Sequence, residues 1–234
     1  MSARFKKFDN FIKTIDLDSF RKKYSHIKIV ETDLPRSVQV LKTMYRVYWN
    51  EADFNNIPDF EKLYEIYYDE LKGDIEKFRI KTEMCSVCFG KGLKARIYRT
   101  WASIITQIHA GYVAETVFGE DSISMNDELD HEGKDFVVSY NGKAIPIQVK
   151  KESKRPESRV LRMGNNDNSV INIKYCVPNP KDFQNPRYVK TGELKPQVLD
   201  FVEFSKNGIL ARYDNGFVVF LDRVFKDIKD NFFK

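Results

Sequence analysis

The sequence predicts an α/β protein in which a helical N-terminal region precedes a mixed β-sheet with flanking helices. Apolar residues recur at steps of three and four up to about residue 117, as on one face of a helix. Short apolar runs follow, and the turns at Asn141-Gly142 and Asp214-Asn215-Gly216 are typical of β-hairpins. We divide the chain into a helical N-terminal region (1–90) and a core that carries the chemistry (91–234), and expect one compact unit.

Three apolar stripes predict helices in the N-terminal region. Leu34-Pro35 separates the first stripe from the second, and Pro58-Asp59 begins the third. Each stripe marks the face that its helix buries. The stripes consist of Phe5, Phe8, Phe11, Ile12 and Ile15, of Val40, Leu41, Met44, Tyr45 and Tyr48, and of Phe60, Leu63, Tyr64, Ile66, Tyr67 and Leu71.

The longest helix is predicted at about 93–117. Between residues 100 and 119 its only ionisable groups besides tyrosine are His109 and Glu115, so this half is expected to be buried. We expect His109 to be a core residue with a hydrogen-bond partner. Two interpretations of Glu115 stay open: a further carboxylate at the edge of the sheet, or a surface residue near the end of the helix.

The segments after residue 120 are shorter and are bounded by glycine, proline and asparagine, which predicts strands and turns. The predicted elements are strands at about 135–140, 144–150, 169–175, 209–213 and 217–221, a loop at 183–195 and a last helix at about 223–233.

The composition excludes several classes of protein. Three cysteines, an odd number, argue against a disulfide framework and indicate a reducing compartment. The N-terminus lacks the apolar core of a secretory signal, and no apolar stretch is long enough to span a bilayer. We therefore expect a cytoplasmic protein with no membrane partner. The net charge of +5 fits a polyanionic partner without establishing one.

Cys85 and Cys88 are spaced as in half of a zinc site or in a redox pair. A closed zinc site needs two more ligands, and only Cys176 and scattered histidines could supply them. No second close pair of cysteines exists in the sequence. We therefore expect the two cysteines to be buried structural thiols.

The candidate chemistry lies in a predicted hairpin. Asp135 opens the first apolar run, and Asp130 lies five residues earlier. Because alternate side chains of a strand share a face, Gln148 and Lys150 point the same way, while Ile147 and Val149 alternate with them and point into the core. An acidic residue, a hairpin and a polar-x-Lys pattern at the end of a strand together predict a metal-dependent nuclease.

Each of these residues would have a separate role in phosphodiester hydrolysis. A hard divalent cation held by Asp130 and Asp135 would stabilise charge on phosphate oxygens and generate hydroxide near neutral pH. Lys150 would orient the attacking water and stabilise the developing charge, and Gln148 would offer a neutral oxygen or hold a water. The alternative interpretation is a solvent-exposed hairpin without catalysis.

A basic segment follows the predicted catalytic strand. Residues 150–162 contain six cations and two acids. We predict that Lys154, Arg155, Arg159 and Arg162 contact DNA phosphates, and the alternative is a solvated face. Base readout would need Arg, Lys, Asn or Gln at base edges.

Six segments, distributed in order over most of the chain, carry a specific resemblance. In them the chain resembles the TaqI family of type II restriction endonucleases, part of the PD-(D/E)XK nuclease superfamily. Asp130 and Asp135 match the family's two acidic positions, and Gln148 with Lys150-Lys151 matches its Gln-x-Lys-Lys. Residues 162–175 depart from the family pattern, which puts the base readout there in doubt. The six segments are 27–36, GLKARIYRTWASIITQIH at 92–109, 126–135, IQVKKES at 147–153, 159–162 and 215–220.

The resemblance implies a mixed-sheet nuclease core and Mg²⁺-dependent cleavage of double-stranded DNA at a short palindrome, 5′-TCGA-3′, after the T. It also implies an isologous homodimer and a cognate DNA methyltransferase that protects the host's own sites. It does not decide which lysine is catalytic, and strand alternation favours Lys150 over Lys151. Two other functions stay open: a nuclease of the same superfamily in repair or junction resolution, and a DNA-binding scaffold without activity.

Overall fold

The N-terminal region of the protein is helical. A computed structural model describes residues 2–152, 170–178 and 196–233. The first elements are α1 (Ala3–Thr14), α2 (Leu17–Tyr24), a 3-10 turn (Arg36–Val38), α3 (Leu41–Tyr45), a π-helical turn (Arg46–Asn50) and α4 (Phe60–Lys81), and the long helix α5 (Ser86–Phe118) follows them.

A mixed four-stranded sheet follows α5. The strand order is β1-β2-β3-β4; the first two pairings are antiparallel and β3 pairs with β4 in parallel. The strands are β1 (Ile123–Ser124), β2 (Phe136–Tyr140), β3 (Lys143–Lys151) and β4 (Ile171–Tyr175), with the short helix α6 (Asp127–His131) between β1 and β2. The C-terminal part contains α7 (Pro196–Lys206), the hairpin of β5 (Leu210–Arg212) and β6 (Val218–Phe220), and α8 (Asp222–Phe232).

Helix α5 is the central element of the core. It packs against α1 and α4 on the N-terminal side and against β2, β6 and α8 on the other. It begins after Cys85, whose thiol accepts a hydrogen bond from the Cys88 N–H at 3.2 Å and so caps the helix. It ends at Gly119, whose φ of +111° suits a residue without a Cβ. The helices of the N-terminal region and the strands and helix that follow α5 therefore both pack against this one helix.

The structure confirms the predicted α/β class with a helical N-terminal region. The turn between β2 and β3 is the predicted one: Asn141 and Gly142 both have positive φ, which a two-residue hairpin of type I′ requires. Helix α5 starts seven residues before the predicted Leu93, because the N-terminal cap is a cysteine instead of a usual capping residue. The division at residue 90 stays a prediction, and α5 runs across it.

The sequence pattern does not predict the short elements β1 and α6, because two to five residues carry too little periodicity. It does not predict α7 either, since this helix follows a polar segment. The predicted loop at 183–195 lies wholly outside the described residues. No helix in the described ranges has the length and apolar character needed to cross a membrane.

Two glycines of α5 give a matched test of its packing. A Cβ at Gly92 would lie 2.8 Å from Val30 Cγ2 and 3.0 Å from the Val30 backbone nitrogen, whereas a Cβ at Gly90 would meet nothing within 4 Å. Gly92→Ala is expected to lower the free energy of unfolding by about 1–3 kcal/mol, as overpacking does. Gly90→Ala is expected to raise it by up to about 1 kcal/mol through helix propensity. Urea denaturation measures both, and equal effects of the two substitutions would contradict this packing.

Candidate active site

Asp135 lies at the start of β2 and is 5% exposed. Its backbone N–H donates to the Ile147 carbonyl at 2.9 Å, and its carboxylate accepts a short hydrogen bond from the Val149 N–H. Both contacts are to β3, so the register of the β2–β3 hairpin sets the position of the carboxylate. The side chain is thus held at the edge of the sheet before any substrate binds.

Asp130 comes from α6, which is capped by Asn126: the Asn126 side chain accepts a hydrogen bond from the Leu129 N–H at 2.8 Å. The turn after α6 passes through Gly133, with φ of +78°, and brings the chain back to Asp135. As a result the Asp130 and Asp135 carboxyl groups share a hydrogen bond.

The Asp130 carboxylate also contacts the N-terminal region. Tyr45, at the end of α3, donates its hydroxyl proton to Asp130 Oδ1 at 3.1 Å. Tyr45 is 1% exposed, and burial raises the pKa of its phenol far above the usual range, so the phenol stays the donor. Sequence reasoning missed this role, because Tyr45 fits an apolar helical stripe equally well.

Burial and proximity shift the acidity of the carboxylate pair. Burial and, to a lesser extent, the negative charge of Asp130 raise the pKa of Asp135 to about 7, against the opposing effects of the Val149 N–H and the Lys150 ammonium. Burial also raises the pKa of Asp130. Because Asp135 is buried and Asp130 beside it is half-buried, ionisation of both carboxyl groups is unfavourable without a cation, which favours a proton held between them in the metal-free protein.

The donor set fits a hard divalent cation. Mg²⁺ is commonly held by one or two carboxylates while several of its ligands remain water. Asp130 and Asp135 supply two carboxylates, and the Gln148 amide nitrogen lies 3.7 Å from the position of a Cβ at Gly133, in the turn between them. No group of three or more His, Cys, Asp or Glu side chains with a metal-binding arrangement occurs in the part of the chain that the structure describes. The remaining ligands would therefore be water, amide or carbonyl oxygens.

The two lysines at the end of β3 lie on opposite faces of the sheet. Ile147 and Val149 are buried, so the predicted alternation holds, and Lys150 lies on the Gln148 face, where its charge acts on Asp135. Lys151 is paired in register with Tyr175 and lines a separate cavity of about 320 Å³ against α5. The structure thus brings Lys150, and not Lys151, to the face of the candidate site.

A cavity of about 630 Å³ opens beside Asp130. It lies between the N-terminal region and the middle of α5, and a second cavity of about 480 Å³ adjoins it at Gln39, Leu41 and His131. Three cationic side chains line these cavities: Arg36, Lys42 and Arg96. None of them forms an ion pair with another residue that the structure describes. Sequence reasoning missed them, since isolated cations on helices carry no distinguishing pattern.

Glu115 is not a further carboxylate of this site. It is 2% exposed and pairs with Arg4 of α1 at 3.0 Å, so it is not the surface residue of the other interpretation either. The reason is its place on α5: Gln107 lines the cavity, and Glu115 lies eight residues later, about 12 Å further along the helix. His109 is the expected core residue, with its Nε2 atom 3.1 Å from Asp9 Oδ1.

The expectation of buried thiols at Cys85 and Cys88 is wrong. Both side chains are exposed, because they occupy the first turn of α5, where Cys85 serves as the helix cap. Only Cys176 is buried. The predicted phosphate contacts Lys154, Arg155, Arg159 and Arg162 lie outside the described residues.

Comparison with known proteins identifies relatives over nearly the whole chain. A sequence model of the TaqI restriction endonuclease family matches residues 5–232. The type II restriction enzyme TthHB8I of Thermus thermophilus is 32% identical over 97% of this chain and 87% of its own length. The type II restriction enzyme TaqI of Thermus aquaticus is 31% identical over 95% of this chain and 85% of its own. No solved structure matches the chain.

The shared proton gives a testable pH dependence. The folded metal-free protein retains on Asp135 a proton that the unfolded chain loses above the ordinary pKa of 3.8. The folded state then binds more protons, so the free energy of unfolding in EDTA should fall as the pH rises from about 4 to about 7. Urea denaturation across this range measures the slope. Asp135→Asn should flatten it, and an identical slope in the variant would contradict the assignment.

Proposed function

Because the chain belongs to the TaqI restriction endonuclease family, we propose that this type II restriction endonuclease cuts double-stranded DNA at 5′-TCGA-3′, after the T, with Mg²⁺. The observation that carries the proposal is the contact between the buried carboxyl group of Asp135 and the half-buried one of Asp130, with the Lys150 charge acting on Asp135. The resemblance of residues 126–135 and 147–153 to the family supports the choice of site and metal.

The two aspartates would hold the cation. When bound, Mg²⁺ supplies Lewis-acid stabilisation of the phosphate charge and lowers the pKa of a water ligand. Asp135 is preorganised for this by its contacts to the β3 backbone, and Asp130 by the Tyr45 hydroxyl. Gln148 would orient a water or donate its amide oxygen from the same strand face.

Lys150 is the basic group of the mechanism. Its ammonium lies close enough to Asp135 to oppose the rise of that group's pKa. From there it would orient the attacking water and stabilise the charge that develops on the phosphate oxygens. Strand β3 lies between β2 and β4, and this fixes the strand end that carries Lys150. A charge that is already in place needs little reorganisation in the transition state.

The partners follow from the same proposal. Lys154, Arg155, Arg159 and Arg162 continue the chain directly after β3 and would bind DNA phosphates. A palindromic site with two equivalent cuts favours a homodimer with two-fold symmetry. A cognate DNA methyltransferase would protect the host's own sites. The cytoplasmic location stays a prediction.

Digestion of a fully sequenced plasmid tests the activity and the site together. With Mg²⁺ we expect discrete fragments whose ends all lie at TCGA, and none with EDTA. Asp135→Asn should abolish cleavage while DNA binding persists. Discrete ends elsewhere would contradict the recognition site alone. Structure-selective cutting without sequence preference would favour a repair or junction nuclease. Binding without cleavage in any divalent metal would favour a scaffold without activity.

A pair of lysine substitutions tests the assignment on β3. Lys150→Ala is expected to lower kcat by about 10²–10³, as loss of a transition-state charge contact does. Lys151→Ala is expected to retain most of the activity, because its side chain lies on the opposite face of the sheet. Single-turnover cleavage at saturating enzyme gives both values. The reverse order of effects would assign the role to Lys151.

A further inference from the structure

We propose that Tyr45 is a positioning residue of the active site, and that the N-terminal helical region thereby fixes the orientation of the metal-binding carboxylate of Asp130. The inference rests on the proposed function, since it concerns a residue that acts through a metal ligand. Its basis is one contact: the Tyr45 hydroxyl donates to Asp130 Oδ1 at 3.1 Å, across 85 residues of sequence.

Asp130 has little else to hold it. Helix α6, which carries it, is only five residues long and has no buried residue. Hydrogen bonds to Asp130 come from Tyr45 and from Asp135, and the second partner is itself a proposed metal ligand. If both aspartates bind a cation, the hydrogen bond from the Tyr45 hydroxyl would remain to restrict the Asp130 side chain.

Tyr45 is suited to this task because it cannot move easily. It is 1% exposed, and its ring belongs to the core shared by α3 and α5. The chain continues from it directly into the π-helical turn Arg46–Asn50, a conformation that is rare and often found at functional sites. The hydroxyl is therefore presented to Asp130 from a rigid element, whereas Asp130 itself lies on a surface helix.

The Tyr45 contact also determines which carboxylate oxygen of Asp130 is available to a metal ion. Tyr45 engages Oδ1, so rotation of the carboxyl group about its bond to Cβ is restricted and the second oxygen faces a defined direction. Hydrogen bonds of this kind to a metal ligand typically contribute a factor of about 10–100 in metal affinity or activity. Tyr45→Phe removes the hydroxyl and leaves the ring.

Tyr67 provides the matched control. It belongs to α4, is 0% exposed, and donates its hydroxyl proton to the Val38 carbonyl at 2.7 Å. Tyr67→Phe therefore loses one buried hydrogen bond from the same region without touching either aspartate. Both substitutions are expected to lower the unfolding midpoint in EDTA to a similar, small extent.

The experiment is a titration of the full chain with Mn²⁺, followed by electron paramagnetic resonance of the free ion, for the wild type, Tyr45→Phe, Tyr67→Phe and Asp130→Asn. We expect Tyr45→Phe to raise the Kd for Mn²⁺ by about 10–100-fold. Tyr67→Phe should leave the Kd unchanged. Wild-type affinity in Tyr45→Phe, or equal weakening in Tyr67→Phe, would overturn the inference.

The Asp130→Asn arm separates two kinds of failure. If Asp130→Asn weakens Mn²⁺ binding and Tyr45→Phe does not, the metal site stands and only the role of Tyr45 is overturned. If the wild type and Asp130→Asn bind Mn²⁺ equally, or neither binds it, the proposed metal site fails and the inference fails with it. Weakening in both, with Tyr67→Phe unaffected, supports both.

Discussion

The contact between the Asp130 and Asp135 carboxyl groups is the constraint on which the rest of the site depends. Keeping two acids together inside a protein is unfavourable unless a proton or a cation lies between them. The fold holds the two acids together through the contacts of Asp135 to β3, the turn at Gly133 and the Tyr45 hydroxyl on Asp130. In the proposed function, the same arrangement that favours a proton in the metal-free protein would hold a divalent ion.

Helix α5 joins this site to the remainder of the molecule. Its middle lines the cavity beside Asp130, its N-terminal half packs against α2 and α4, its C-terminal half packs against α1, and its C-terminal end leads into the sheet. The N-terminal region contacts the candidate site through the cavity that it shares with α5 and through the Tyr45 hydrogen bond to Asp130. Helix α5 runs across residue 90, where the sequence predicts a division, and it contacts elements on both sides of that position.

Local patterns in the sequence predicted the hairpin that carries the candidate site. Asn141-Gly142 specifies the hairpin, and the period of two along β3 then places Gln148 and Lys150 on one face and Lys151 on the other. What the sequence could not predict depends on distant contacts. The Tyr45–Asp130 hydrogen bond spans 85 residues, and the Arg4–Glu115 pair spans 111. Both residues of each pair look ordinary in their own segments, so only the folded chain reveals them.

A proton held between Asp130 and Asp135 must leave when a divalent cation binds there, and calorimetry counts that proton. Mn²⁺ is titrated into the protein near pH 6.5 in two buffers with different ionisation enthalpies, whose difference in heat counts the protons released. We expect the protein to release about one proton per chain when Mn²⁺ binds, and we expect Asp135→Asn to lose that release. Binding heat that does not depend on the buffer, or proton release that persists unchanged in Asp135→Asn, would contradict it.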